Sequence, residues 1–243
     1  MSAYFVAGTG TGVGKTFTTC ALLHAARMQG KAAIGLKPVL SGFDAADAQG
    51  DAHQIMAAMD TQLHQPLTQP SPARGEGSPV APLQADLPIE SISPYRFAAP
   101  LSPHRAAALE GKTIDVAALT AWTQARVKQH DGITLIEGVG GVMVPLTERD
   151  TTLDWMDKLG LPIILVTGSY LGTISHTLTA LEVLKSRGLR IHALVMNESA
   201  GASVTLAEAW AGLAPFIGDI PWRICQPLVS SFENATALQA LEL

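Results

Sequence analysis

Short runs of aliphatic residues at positions 4–7, 32–37, 133–137, 162–167 and 191–197 each end near a glycine or a polar residue, without polar alternation inside them. Such runs predict strands buried on both faces of a sheet. Between them lie longer stretches with apolar positions at helical spacing. One covers 15–29 and closes on Gly30, one covers 115–129 before Asp131 and Gly132, one covers 174–187 and closes on Gly188, and one covers 203–213. A further helical run opens at Asp51 and ends at Met59. Strands alternating with helices predict an α/β fold: a doubly wound, mainly parallel sheet with helices on both faces and right-handed crossovers. No internal repeat is evident.

Positions 65–88 break this rhythm with six prolines, two glycines and almost no apolar periodicity. They predict a loop insert rather than an element. The 243 residues are therefore expected to form a single domain that carries this insert.

Composition removes several classes. The formal charge is −5 and no block of lysine or arginine stands out, so a nucleic acid is not an expected partner. The longest apolar stretch, 159–167, contains glycine and proline and falls far short of the roughly 20 residues that span a bilayer. A secretory leader pattern is lacking, and two cysteines, Cys20 and Cys225, make no disulfide framework. A cytoplasmic protein with reduced thiols and no membrane partner is the expectation.

The candidate chemistry starts at the first strand. It runs into Gly8-Thr-Gly-Thr-Gly-Val-Gly-Lys-Thr16 and then into a helix, the build of a phosphate-binding loop. Glycines let backbone N–H groups crowd an anion, and the helix N-terminus adds its positive dipole end. Lys15 would reach the terminal phosphates and Thr16 would offer its hydroxyl to a magnesium ion. The loop is a variant, because the usual spacing asks for glycine where Thr9 stands and Gly8 lies one residue earlier. A dinucleotide fingerprint is half met and set aside, since its third small residue falls on Val13.

In an open α/β sheet the ligand sits beyond the carboxyl ends of the strands. At those ends stand Lys37 and Ser41, then Glu137 ahead of Gly138, Val139 and Gly140, and finally Asn197. An acidic residue at a strand end close to a phosphate loop is a candidate magnesium ligand, and Glu137 meets that description. Asp51 by itself reads as a helix N-cap, which leaves Glu137 the better metal candidate of the two. Tyr170 to His176 lies between the fourth strand and its helix, either as a second anion site that includes Ser175 or as a plain helix start. The amide of Asn197 either reads a base edge or ends the strand.

Taken together in collinear order, Gly8 to Thr16, Lys37-Pro-Val-Leu-Ser-Gly42, Pro94 to His104, Glu137-Gly-Val-Gly-Gly141, Leu171-Gly-Thr-Ile-Ser-His176 and Gly218-Asp-Ile-Pro-Trp222 resemble the dethiobiotin synthase family. The resemblance implies a magnesium- and ATP-dependent cyclo-ligase that joins carbon dioxide to 7,8-diaminononanoate through a carbamate and a carbamic-phosphoric anhydride. It implies Lys37, Lys15 and Thr11 as catalytic residues, and Thr16, Asp51 and Glu137 as metal ligands. The ATP site would be lined by Gly12, Val13, Gly14, Lys15, Thr16 and Phe17, by Glu137, Gly138, Val139 and Gly140, and by Asn197, Glu198, Ile220, Pro221 and Trp222. Ser41 would contact the diamine, while Leu171, Gly172, Thr173, Ile174 and Ser175 would hold the substrate carboxylate across a homodimer interface. The chain carries Gly10 where family loops usually have aspartate, and Ser175 where asparagine is common.

Two other readings share the phosphate loop. A cobyrinate-type amidoligase would need a glutaminase domain with a nucleophilic cysteine, and neither Cys20 nor Cys225 has that setting. A partitioning or regulatory ATPase usually carries a lysine early in the loop, where this chain has Gly10 and no lysine before Lys15.

Overall fold

In the computed structural model, residues 2–59, 88–199, 201–225, 238–241 and 243 are described. The insert expected at 65–88 lies, apart from Pro88, outside them.

The strands, in chain order, are β1 (Ser2–Gly8), β2 (Ala33–Leu36), β3 (Val39–Ser41), β4 (Tyr95–Phe97), β5 (Ile133–Glu137), β6 (Ile163–Gly168), β7 (Ile191–Asn197) and β8 (Trp222–Cys225). Six of them form one parallel sheet in the order β2-β5-β1-β6-β7-β8, and β3 pairs with β4 in a small parallel sheet of its own. The helices are α1 (Lys15–Met28), α2 (Asp51–Met59), α3 (Pro103–Leu109), α4 (Val116–Gln129), α5 (Thr152–Leu159), α6 (Thr173–Ser186) and α7 (Leu206–Ile217). The fold is the doubly wound, parallel α/β architecture that the alternating pattern predicts, with helices on both faces.

The aliphatic runs are strands because both of their faces are covered. Phe5, Val6, Leu135, Ile136 and the Ile163 to Val166 run have no measurable exposure. The Phe5 and Trp155 rings, the latter on α5, meet edge to face at a centroid separation of 4.9 Å, a contact worth about 0.5–1.5 kcal/mol beyond the area it buries.

Several elements depart from the sequence expectation for local reasons. The helix expected at 203–213 begins at Leu206, because Thr205 accepts from the Glu208 amide and Glu208 accepts from the Thr205 amide, closing a capping box. It then continues past Pro215 to Ile217; the proline forfeits a single hydrogen bond near the end of the helix. Helix α5 is held by the same reciprocal cap between Thr151 and Asp154 and ends at Gly160 in the left-handed region. Asp115 caps α4 by accepting from the amide of Ala118.

Topology places the site. β1 is the central strand, flanked by β5 and β6, and its carboxyl end delivers the glycine-rich loop into α1. The carboxyl ends of β5 and β7 bring Glu137 and Asn197 to the same edge, where β1 pairs Val6 with Glu137 and β6 pairs Gly168 with Asn197.

Candidate active site

The loop between β1 and α1 is shaped by two glycines with distinct jobs. A Cβ built on Gly8 would stand 2.9 Å from Cδ of Lys15, so the glycine one residue before the usual position is the one that gives the lysine its path. Gly14, the N-cap of α1, has φ 86, and a Cβ there would lie 2.4 Å from Nδ2 of Asn197. Nδ2 of Asn197 donates to the carbonyls of Val13 at 2.8 Å and Gly14 at 3.1 Å and approaches Thr18 Oγ1 at 3.1 Å. The amide thus props the loop from beneath, while its Oδ1 has no hydrogen-bond partner.

Lys15 is buried at 7% exposure and donates from Nζ to the Gly10 carbonyl at 2.8 Å. Burial, helped by the nearby Lys37 charge, pulls its ammonium down from 10.5 to about 8, against the opposing pull of Glu137 and Asp51. An ammonium held this way gains by acquiring an anion.

Lys37 follows β2 and is almost fully enclosed. Its Nζ lies 2.5 Å from Oε1 of Glu137, 3.0 Å from Oδ2 of Asp51 and 3.1 Å from the Gly138 carbonyl. Burial works to deprotonate it, yet Glu137 and Asp51 prevail and hold it above its ordinary value. Asp51 shows the converse: burial is the largest single influence and would raise its carboxyl, but Lys37, Thr16 and Lys15 together overcome it and hold the carboxyl below its ordinary value. Thr16 donates to the same Glu137 oxygen at 2.8 Å, and the other oxygen, Oε2, is buried without a partner.

These groups edge an open cavity of about 830 Å³. Of the residues expected from sequence, Thr11, Gly12, Gly14, Lys15, Thr16, Phe17, Lys37, Ser41, Asp51, Val139 and Gly140 line it. Glu137 and Gly138 lie buried beside Lys37, and Val13 is buried with its carbonyl on Asn197. Asp51 is the first residue of α2, where it also pairs with Lys37, so its position serves more than a helix start.

The cavity also takes in Leu40, Gln54, Val144 and the turn of Pro100 to Pro103, none of them among the site residues expected from sequence. For that turn the signal was present in the Pro94 to His104 motif; for Gln54 it was the one-turn spacing from Asp51 along a helix.

Two expected groups stand elsewhere. Leu171, Gly172, Thr173, Ile174 and Ser175 line a separate shallow groove of about 580 Å³ at the start of α6. Ile220 and Pro221 lead into β8, where Trp222 pairs with Leu194, three positions before the Asn197 to Cys225 pair at the ligand edge. The Trp222 ring stacks on Trp210 at 3.6 Å. The Glu198 amide is directed to the Cys225 carbonyl at 3.4 Å.

Thr16, Asp51 and Glu137 suit a magnesium ion: they are a hydroxyl and two carboxylates, hard oxygen donors, and Glu137 Oε2 has an open lone pair. Backbone N–H groups at a helix N-terminus and two buried ammonium groups together can hold a polyphosphate and neutralise charge transferred within it, while these oxygens are placed to hold its metal ion.

The family model described as an AAA domain matches residues 2–225. The chain is 48% identical over 202 residues to the ATP-dependent dethiobiotin synthetase BioD of Phenylobacterium zucineum (strain HLK1), covering 82% of this chain and 77% of that one. It is 42% identical over 223 residues to the same-named protein of Caulobacter sp. (strain K31), with 91% and 86% covered. Among solved structures, the cell division ATPase MinD of Pyrococcus furiosus superposes with a TM-score of 0.53 at 15% identity, over 99% of this chain and 98% of that one. The hydrogenase maturation factor HypB of Archaeoglobus fulgidus gives 0.52 at 11% identity, over 99% and 90%. At those identities the likeness shows the fold alone.

Proposed function

The chain belongs to the dethiobiotin synthetase family of ATP-dependent ligases, and from that premise we propose that it carboxylates 7,8-diaminononanoate with carbon dioxide and closes the cyclic urea of dethiobiotin. The observation that carries the reading is the enclosed Lys37, held by Glu137 and Asp51 on the edge of the cavity that the nucleotide loop lines.

The chemistry balances with three bond exchanges. One substrate amine attacks carbon dioxide, forming an N–C bond and, after losing a proton, a carbamate. A carbamate oxygen then attacks the γ-phosphorus of ATP, and the bond to the bridging oxygen of ADP breaks. The second amine attacks the activated carbon, the carbon–oxygen bond to phosphate breaks, and the ring closes with loss of a second amine proton.

This chain's residues act mainly on charge. In the phosphorylation step two anions approach, and the transition state spreads charge over the transferred oxygens. Lys15 would leave the Gly10 carbonyl for the terminal phosphates, and Thr11 would present the loop to the transferred group. Lys37 would share its N–H donors between the carboxylates and the incoming carbamate oxygen. Its raised pKa keeps the ammonium charged through the neutral range, so its role is electrostatic and not that of a proton shuttle. Ser41 would meet the diamine, since its Oγ is buried at the cavity without a partner.

Magnesium would be held by Thr16, Asp51 and Glu137, and when bound it would neutralise charge on the β- and γ-phosphates. Gly12, Val13, Gly14, Phe17, Gly138, Val139, Gly140, Asn197, Glu198, Ile220, Pro221 and Trp222 belong to the proposed ATP site. Asn197 Oδ1, free to accept, supports a contact with a nucleobase amino group.

The substrate carboxylate would be held at Leu171 to Ser175 of a second copy. Leu171 is 83% exposed and Ile174 is 37% exposed, and the groove they line is separate from the phosphate-loop cavity, which supports completion of the site across a homodimer. No described helix is long and apolar enough to cross a membrane. A single synthase domain working in the cytoplasm is the proposed setting.

The test is incubation with 7,8-diaminononanoate, labelled bicarbonate and magnesium-ATP, following acid-stable label and ADP together. Equal yields of both, each requiring the diamine, are expected. ADP without fixed label would refute the ring-closing reading.

A further inference from the structure

Thr9 stands where the usual loop spacing has glycine, and its hydroxyl is used. It donates to Oγ1 of Thr167, at the end of β6, at 3.2 Å. Thr167 in turn lies 3.1 Å from Oγ1 of Thr173 and 2.7 Å from Oγ1 of Thr177, both on α6. Thr173 donates to the Gly168 carbonyl at 2.5 Å. Thr167, Thr173 and Thr177 are fully enclosed, at 0%, 1% and 0% exposure.

A hydroxyl has one proton and two lone pairs, which fixes the direction of the chain. Thr173 gives its proton to Gly168, so it accepts from Thr167. Thr167 has then spent its proton, so it accepts from both Thr9 and Thr177. All three capacities of Thr167 are filled, and the order runs from Thr9 through Thr167 to Thr173 and the Gly168 carbonyl.

The two ends of this chain meet different parts of the molecule. Thr9 precedes Gly10, whose carbonyl holds Lys15. A polyphosphate that drew Lys15 away would take this partner from the Gly10 peptide, the one next to Thr9. At the other end, α6 starts at Gly172 with φ 99 and no side-chain cap, so Thr173 is the side chain that ties this first turn to the sheet.

From this we infer that Thr167 is a positioning residue that couples the occupancy of the nucleotide loop to the first turn of α6, residues 171–176. The inference rests on nucleotide binding at the loop and needs no particular second substrate. It assigns a purpose to threonine at position 9 of the variant loop, and to a buried hydroxyl cluster that packing alone would fill with valine.

The experiment is amide hydrogen exchange of residues 171–176 with and without magnesium-ADP, in the wild type, Thr167→Ser and Thr167→Val, with the nucleotide affinity of each measured in parallel. In the wild type and Thr167→Ser, the nucleotide should slow exchange in this turn by about fivefold or more, the lower end of ordinary coupling between sites. In Thr167→Val, which keeps the shape and removes the node, the slowing should vanish while nucleotide still binds. Should Thr167→Val not fold, Thr173→Val cuts the same chain at its far end and should lose the slowing likewise.

Slowing of equal size in the valine variants would overturn the inference, as would a wild type that binds magnesium-ADP with no effect on the turn. A wild type that does not bind magnesium-ADP at all would remove the nucleotide reading and the coupling with it.

Discussion

Nζ of Lys37 lies 2.5 Å from Oε1 of Glu137, and the two side chains are 3% and 0% exposed. A pair so enclosed is costly to break from one side, because the remaining charge stays buried without its partner. Lys37→Met should destabilise the protein by about 3–5 kcal/mol and abolish turnover while largely sparing nucleotide binding. Glu137→Gln should also destabilise. The double variant should lose less than the sum by about 1–3 kcal/mol, read from urea unfolding of all four proteins. Additive losses would mean that the two groups do not stabilise each other.

Lys15 predicts a pH dependence with a definite sign. Its ammonium titrates at about 8 in the free protein, against 10.5 for an ordinary lysine. The unfolded chain holds that proton more tightly, so the unfavourable contribution to stability is fully present below about pH 8 and lifts as pH rises towards 10.5. A bound polyphosphate favours the charged form. Binding at a pH of about 9 should therefore take up close to one proton, and binding at a pH of about 6.5 almost none. Calorimetry in buffers of different ionisation enthalpy measures the uptake, which should disappear in Lys15→Met, provided that variant still binds. Uptake that does not change with pH would contradict the assignment.

Ser41 offers a test that separates binding from folding. Its hydroxyl is buried without a protein partner, so Ser41→Ala removes no protein hydrogen bond and should leave stability unchanged or slightly higher. Loss of a substrate contact should raise the KM for the diamine by about fivefold to tenfold with little change in kcat. A stability loss with unchanged KM would place the hydroxyl in the scaffold.

Sequence and structure agree most closely where one force dominates. The five aliphatic runs are strands, because a stretch such as Ile163 to Val166, buried on both faces, has no other stable placement. Glu137 was legible as a polar residue ending such a run. Elements held by a few local contacts were harder to read. Strands β3 and β4 have three residues each and exist by pairing across a gap of more than fifty positions, which leaves no periodic trace. Helix α5 spans only eight residues, too short for a clear helical period, and its sequence signal is the Thr151 and Asp154 cap with Gly160 at its end. The link between Thr9 and Thr167 joins residues 158 positions apart, and no spacing rule reveals it.

The central claim is that a carboxylate made from carbon dioxide is phosphorylated beside Lys37. The carbamate oxygen that attacks phosphorus leaves with it when the ring closes, so the claim has an isotopic signature. Short incubations with oxygen-18 bicarbonate, diamine and magnesium-ATP, followed by mass analysis of the phosphate released, test it directly. One oxygen-18 atom should enter each phosphate formed with dethiobiotin, after correction for exchange with water. Phosphate free of the label, in the presence of product, would contradict the account.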